Sequence, residues 1–398
     1  MSLTASGTAR YSNEEVLRAT GLQVGQPVNE EDFKRATEQL GQTGLFSGAS
    51  YTYSYSSEGA KLELQLTDND QLVPAKFDNF VWISDQELLA NLRERVPLFK
   101  GLLPVAGELA DQISDALQAL LIEHKVQGKV DYTRTARLNG PVDAFLYTVS
   151  GHNVRIHSVA FTGTEAELPH LQDAAKRLLN TEYGHTTIDD EESLSFLPIF
   201  LQVGRLKAVF EETQVRVIEH RGEETSVDVT IRVIPGPQYN LTDISWTGNH
   251  AFPSTQLQSL IQLKPGQPAD AVELDKDLRE VKELYGTKGY MAVRVKAKPI
   301  MDDAAATVHY DLEVEEGEVY KMGELEIRGV DEKTKNKLVF DWKLGEGQVY
   351  DSSYVQRFRV DSAKDLPPDS KWDVEPHIAV NDDMTVDVTL PYEATSRK

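Results

Sequence analysis

The chain has 398 residues, 41 basic and 64 acidic side chains, a formal charge of −23 and 40 % hydrophobic residues. That balance leaves no basic surplus to displace counterions from a nucleic-acid backbone or to hold an anionic lipid surface, and the length suffices for two or three ordinary domains with real cores. Cysteine is absent, which excludes a disulfide framework, thiolate metal sites and a cysteine nucleophile.

No apolar stretch reaches the roughly 18 residues of a membrane helix; the longest, 194–203, contains Pro198. The first seven residues, Met1 to Gly7, have neither a basic region nor an apolar run, so no signal peptide is read. The expectation is a segment cut from something longer.

Self-similarity organises the rest. Gly25-Gln26-Pro27-Val28 matches Gly266-Gln267-Pro268-Ala269 at an offset of 241, and the same offset carries Gly7 to Gly248. Gly101, Gly184 and Gly345 stand in comparable settings, which spaces the chain into five units of about 80 residues. The junctions repeat as well: Val233-Ile-Pro-Gly236-Pro-Gln-Tyr239 and Val314-Glu-Glu-Gly317-Glu-Val-Tyr320 lie 81 residues apart. The predicted units are 1–70, 71–150, 151–236, 237–318 and 319–398.

In chain order, the first unit has helices over 14–19 and 31–40 and strands over 51–55 and 61–66. The 241 offset maps the strand 241–246 onto positions 0 to 5, so unit one is predicted to lack most of its first strand and to leave 61–66 uncovered, that edge being disordered, capped by the N-terminal leader or paired with another molecule. In the second unit Asn79-Phe80 stands where glycine is expected, with helices near 87–93 and 109–123. The third has strands over 154–161, 215–218 and 226–233 and a second helix that includes 196–206. The fourth is the clearest. A strand holding Leu241, Ile244 and Trp246 stops at Gly248-Asn249, and Ser254 caps a short helix with Leu257, Leu260 and Ile261. Pro265-Gly266 breaks it, and Leu274, Leu278, Val281 and Leu284 mark a second helix by their spacing. Gly286 and Gly289 end that helix, and strands over 291–295 and 308–314 follow across Asp302-Asp303. The order is β-α-α-β-β. In the fifth unit Asp365-Leu-Pro-Pro-Asp369 replaces the helix end. A unit of this kind makes an α+β domain: one three-stranded sheet with two helices on one face.

The fourth unit, with Gly248-Asn249, Phe252, Leu263-Lys-Pro-Gly266, Leu284-Tyr-Gly286, Gly289-Tyr290 and Val314-Glu-Glu-Gly317, resembles the POTRA domain, the polypeptide-transport-associated repeat. Five in series resemble the periplasmic part of the BamA-type outer-membrane protein assembly factors, closest in units three and four and least in unit two. The resemblance implies five tandem POTRA repeats in an extended array, each a mixed sheet of strand order 1-3-2. It implies a periplasmic scaffold, attached to the outer membrane of a Gram-negative bacterium by a C-terminal β-barrel that this chain lacks. It would bind unfolded outer-membrane proteins by strand augmentation and dock accessory lipoproteins, with a periplasmic chaperone as a further partner. The alternative is a standalone periplasmic POTRA interaction protein, or the POTRA region of a related transporter, that handles no β-barrel client.

Order 1-3-2 leaves strands 1 and 2 as edges whose unpaired N–H and C=O groups can template an extended peptide. Tyr51, Tyr53 and Tyr55 share one face of a predicted second strand; they form either an aromatic shelf for clients or a row packed under the helices. In unit three the resemblance favours the edge at Val215, Arg216 and Val217, and an edge that only faces solvent is the alternative. For unit five it implies lipoprotein docking, with Asp341 and Trp342 the nearest candidates against an ordinary solvated surface. Gly151 is the expected flexible hinge and Pro235-Gly236-Pro237 the stiff one, with Gly317 at the last junction. The nine histidines contain no i, i+4 pair, and His152 and His157, the closest pair by position, read as junction or surface residues. No serine elbow, P-loop or dinucleotide fingerprint occurs. The acidic pairs Asp189-Asp190, Glu191-Glu192, Asp302-Asp303 and Asp382-Asp383 lack alternating calcium ligands. No catalytic residue, metal or cofactor is expected, and no nucleic-acid partner.

Overall fold

The computed structural model describes residues 2–23, 25–57, 59–138, 140–367 and 371–395. The chain divides into two compact units, Met1–Phe196 with Phe210–Ile234, and Leu197–Val209 with Pro235–Lys398. Among the described residues the architecture is α+β, with five small mixed sheets.

The first unit holds three sheets. In the first, Phe46–Ser56 runs antiparallel and Ser2–Ser6 parallel to a central Gly59–Asp68. This corrects the expectation that 61–66 is uncovered: Ser2 lies opposite Lys61 and Ser6 opposite Gln65. Parallel pairing asks only for backbone groups and a period-two pattern. Leu3 and Ala5 meet that requirement by packing on the core while Ser2, Thr4 and Ser6 face out. Helix Asn13–Thr20 starts at a Ser12/Glu15 capping box and Glu30–Gln42 at an Asn29/Asp32 box, each satisfying two otherwise orphaned amides.

In the second sheet Leu72–Phe77 runs parallel and Lys129–Ala136 antiparallel to Val142–Ser150, and a fourth strand, Leu102–Pro104, covers the outer edge of Leu72–Phe77. Helices Asp85–Arg95 and Leu109–Glu123 back it. The first two repeats share one core running from Tyr11 to Val149. At their seam the Glu108 amide donates to the Gln42 carbonyl (2.8 Å), and Lys100 reaches both the Glu15 carboxylate (2.8 Å) and the Arg10 carbonyl (2.7 Å).

The third sheet places Glu224–Ile234 between a parallel Asn153–Thr162 and an antiparallel Gln214–Arg221. Its helices are Leu168–Ala175 and His185–Glu191, the latter continued by a π-helical turn, Glu192–Phe196. Helix Leu197–Gln202 follows in the chain. The predicted helix that includes 196–206 is thus corrected at its C-terminal end: helical structure begins at His185 and stops at Gln202, before Gly204 turns the chain at φ 76°.

The second unit holds two sheets. Thr307–Glu315 is central, between a parallel Asn240–Thr247 and an antiparallel Arg294–Asp302. Helices Ser254–Gln258 and Ala271–Gly286 lie in this repeat, the longer one capped by Asp270. In the last repeat Thr385–Thr395 is central, Lys321–Arg328 pairs with it in parallel, and the antiparallel partner is split into Lys371–Val374 and His377–Val380. Pro376 stands in the split, where its missing N–H cannot join a ladder. Helices Glu332–Asp341 and Ser352–Ser362 complete it. Of the stretch predicted to replace a helix end, Pro368 and Asp369 lie outside the described residues.

One backbone device recurs. The first strand ends on glycine at Gly7, Gly163, Gly248 and Gly329, with φ between 77° and 88°. A Cβ at these positions would strike the third-strand carbonyls of Leu66, Val233, Val314 and Tyr392. Asn79 replaces glycine in the second repeat. Its buried side chain bridges the gap, donating to the Val149 carbonyl (3.1 Å) and accepting from the Val149 amide (2.8 Å). A second device turns the chain back onto the first strand. Amides of Asn180, Gly266 and Gly347 donate to the carbonyls of Ile156, Leu241 and Met322 at 2.7–2.8 Å, each residue at positive φ. The expected equivalents Gly184 and Gly345 are therefore corrected to Asn180 and Gly347; Gly184 instead precedes helix His185–Glu191.

Candidate functional site

In all five sheets the second strand, Phe46–Ser56, Lys129–Ala136, Gln214–Arg221, Arg294–Asp302 or the split pair, is terminal. A terminal strand turns half of its backbone donors and acceptors outward.

The tyrosine row lies on the helix side of its sheet. Tyr51 packs on the core, and Tyr53 lies 5.4 Å from Phe33 of helix Glu30–Gln42 and donates its hydroxyl to Glu30 at 2.9 Å. Tyr55, 57 % exposed, meets Tyr53 edge-on at 5.5 Å. The row grades from core to solvent along the strand, with Tyr51 packed on the core and Tyr55 exposed.

At the third repeat Val215 and Val217 stand opposite Val229 and Val227, both fully buried, while Arg216 is exposed on the other face. There Arg216 pairs with Asp228 (2.7 Å), which also accepts from Ser158 (2.6 Å) and contacts His157 (2.8 Å). These hydrogen bonds, Ser158's first, then His157's and Arg216's, hold the Asp228 carboxyl at a pKa of about 2. A bulge follows at Ile218. Beside the start of this edge lies a cavity of about 680 Å³ whose lining includes Trp82, Asp85, His185, Glu211, Gln214 and Val215.

Trp342 is drawn into its own repeat: its indole lies 4.9 Å from both Tyr354 and Phe358, edge-on, and donates to the Leu344 carbonyl at 2.6 Å. Asp341 is half-buried beside it. The exposed apolar groups of that helix are Val339 and Phe340, the latter 77 % exposed with Lys343 Nζ 4.8 Å from its ring. Leu338, Val339 and Phe340 are consecutive apolar residues, but a helix can bury only one face, and here it buries Leu338.

The repeat junctions are stitched through the backbone. The Tyr239 amide donates to the Gly204 carbonyl and the Tyr320 amide to that of Gly289, both at 2.8 Å, and their own carbonyls accept from Ala269 (2.9 Å) and Tyr350 (3.0 Å). Arg205 reaches the Gly236 carbonyl at 2.7 Å, and Lys207 bridges to Asp303 at 2.6 Å, where the Tyr239 hydroxyl also donates. Gly317 turns at φ 72°, and a Cβ there would meet Ala292 at ordinary van der Waals distance. Gly151 also turns at φ 72°. The next residue, His152, is only 3 % exposed. Its ring lies between the Gln127 carbonyl at Nδ1 and the Thr225 hydroxyl at Nε2, both 2.8 Å. Thr225 also takes the Trp82 indole N–H (3.1 Å) and meets His220 Nδ1 (2.7 Å), and the two imidazoles stack at 5.3 Å with 9° between planes. Asp78 bridges the same seam by accepting from the Thr186 amide and hydroxyl (2.9 and 2.8 Å). Sequence reasoning missed this constellation because its members span 82 to 225. The one available signal was a histidine flanking a glycine junction.

Residues 239–317 match the POTRA family model, described as surface antigen variable number repeat. Over 142 residues the chain is 25 % identical to the outer membrane protein assembly factor BamA of Neisseria meningitidis, a match spanning 35 % of this chain and 18 % of that protein. Over 128 residues it is 26 % identical to a putative outer membrane protein assembly factor of Treponema pallidum, spanning 32 % and 15 %. The chain thus covers less than a fifth of either relative. Among solved structures, a Haemophilus influenzae BamA fragment holding POTRA domains 3–5 is similar over 61 % of this chain and 97 % of its own, with 21 % identity and a TM-score of 0.47. The fourth repeat is thus similar to the POTRA domain, and the other four sheets share its arrangement, a central third strand between a parallel first and an antiparallel second. The sequence similarity is to assembly factors of the BamA type.

Proposed function

We propose that this array is the periplasmic scaffold of an outer-membrane protein assembly factor, and that it holds unfolded β-barrel clients by strand addition to its terminal second strands. The observation that carries the reading is the recurrence of that open edge in all five sheets. Edge pairing reads backbone rather than side chains, which suits a carrier of many β-rich sequences. The exposed end of the tyrosine row (Tyr53, Tyr55) and the one-sided edge at Val215, Arg216 and Val217 are the first candidate positions. Accessory lipoproteins dock at the last repeat, near Asp341, where Val339 and Phe340 supply the apolar surface that Trp342 does not. A periplasmic chaperone delivers the client, and the junctions at Gly151, 235–237 and Gly317 set the spacing between edges.

The test is site-specific photocrosslinking to an unfolded outer-membrane β-barrel protein. Probes at Thr52, Arg216 and Lys298, on edge strands, are compared with probes at Lys34 and Lys282, on helix surfaces. Edge probes are expected to capture client preferentially; equal capture at helix probes would overturn strand addition.

A further inference from the structure

We infer that the seam between the second and third repeats is a proton-operated joint, closed while the His152–His220 pair carries at most one charge and released when both rings are protonated. The argument starts at the Thr225 hydroxyl, which has one proton to give and two lone pairs. The Trp82 indole can only donate, so it takes one lone pair. His152 Nδ1 faces the Gln127 carbonyl and must carry a proton, so in the neutral ring Nε2 accepts the Thr225 hydroxyl proton. His220 Nδ1 then donates to the second lone pair, and every group is satisfied.

One added proton can be absorbed. If His152 becomes imidazolium, His220 moves to the tautomer whose Nδ1 accepts from Thr225. A second proton cannot, because Trp82, His152 and His220 would then all donate to one hydroxyl whose own proton has no acceptor. Two cationic rings would also be stacked 5.3 Å apart, with His152 and Thr225 almost wholly buried. Burial holds His152 below its ordinary pKa and the His220 ring adds to that, while the Gln127 carbonyl and the Glu223 carboxylate act the other way. Opening brings the buried His152 ring to water beside the already exposed His220, so the open seam binds at least one more proton than the closed one below the ordinary histidine pKa of about 6.5. The sign follows: closure is fully favoured above that value and weakens as pH falls through it. Gly151, beside His152, is where the released chain can turn.

Hydrogen exchange of the whole chain at pH 7.5 and 5.5, corrected for intrinsic rates, tests this. One proton of difference favours opening by roughly tenfold over that interval. Peptides covering 79–83, 150–156 and 220–226 are expected to lose protection by about that factor relative to the fourth repeat, and a His152→Gln/His220→Gln double variant to lose the pH response. An equal change in the fourth repeat, or a response kept by the double variant, overturns the inference. Should the variant stay open at both pH values, histidine Cε1–H titration of the unmodified chain decides. Two well-separated steps support the joint, and a single shared step refutes it.

Discussion

Replacing Gly248 by alanine tests whether the strand-end glycines serve conformation, close approach or both. Gly248 sits at φ 77°, where an L side chain costs roughly 1–2 kcal/mol. A Cβ there also runs into the Val314 carbonyl, a backbone atom held in the central strand of the fourth sheet. The three nearest atoms all belong to the Val314 backbone, so the first and third strands must part locally. The ladder bonds beside the turn are then lost, adding about 1–3 kcal/mol if one buried group goes unpaired. Gly266→Ala is the control: φ is 84°, but the site is open, and a Cβ there would meet nothing within 4 Å. Gly266→Ala is expected to cost about 1–2 kcal/mol and Gly248→Ala about 2–5 kcal/mol. Hydrogen exchange of the 240–247 and 307–315 amides gives the local stability directly. Equal losses in the two variants would refute the close-approach argument.

Asn79→Ala removes both bonds to the Val149 backbone from a buried site, and a loss of about 2–4 kcal/mol in the second repeat is expected by the same exchange measurement. Glu192, whose pKa is pushed up to about 7 by burial and by the Asp189 charge, holds its proton in the folded state after the unfolded chain has lost it. Its contribution is present below the ordinary value near 4.5 and lost as pH rises through 7, so Glu192→Gln is expected to stabilise the third repeat by about 1–2 kcal/mol at pH 8 and to do little at pH 4. Asp228 has the opposite sign. Held at a pKa of about 2, it stabilises above about pH 4 and loses that contribution as pH falls, so Asp228→Asn is expected to cost about 1–2 kcal/mol at pH 7 in urea unfolding and nothing measurable below pH 2.

The repeat was legible because it rests on local chemistry. Positive-φ turns call for glycine or asparagine, and the 3.6-residue spacing of Leu274, Leu278 and Val281 marks a buried helix face, whereas the cap expected of Ser254 falls one residue earlier, at Pro253. The same locality explains the errors of phase. Gly184 and Gly345 resemble Gly266 as residues, yet it is the N–H of Asn180 and of Gly347, both at positive φ, that turns back to the first strand as Gly266's does. The open edges at 215–217 could be expected from the order 1-3-2. The cavity beside them and the side on which Tyr51, Tyr53 and Tyr55 lie could not, since both depend on what packs across the sheet.

From the sequence alone came the β-α-α-β-β order, the repeat length of about 80 residues and the absence of thiol chemistry, all of which depend on residue type and spacing along the chain. Tertiary structure alone decided that Ser2–Ser6 completes the first sheet, that Trp342 turns inward while Phe340 turns out, and that Trp82, His152, His220 and Thr225 meet at one hydroxyl. The reason is physical. Backbone pairing and burial are satisfied by whichever groups the fold brings within about 3 Å, and separation along the chain does not limit that choice once the repeats are packed.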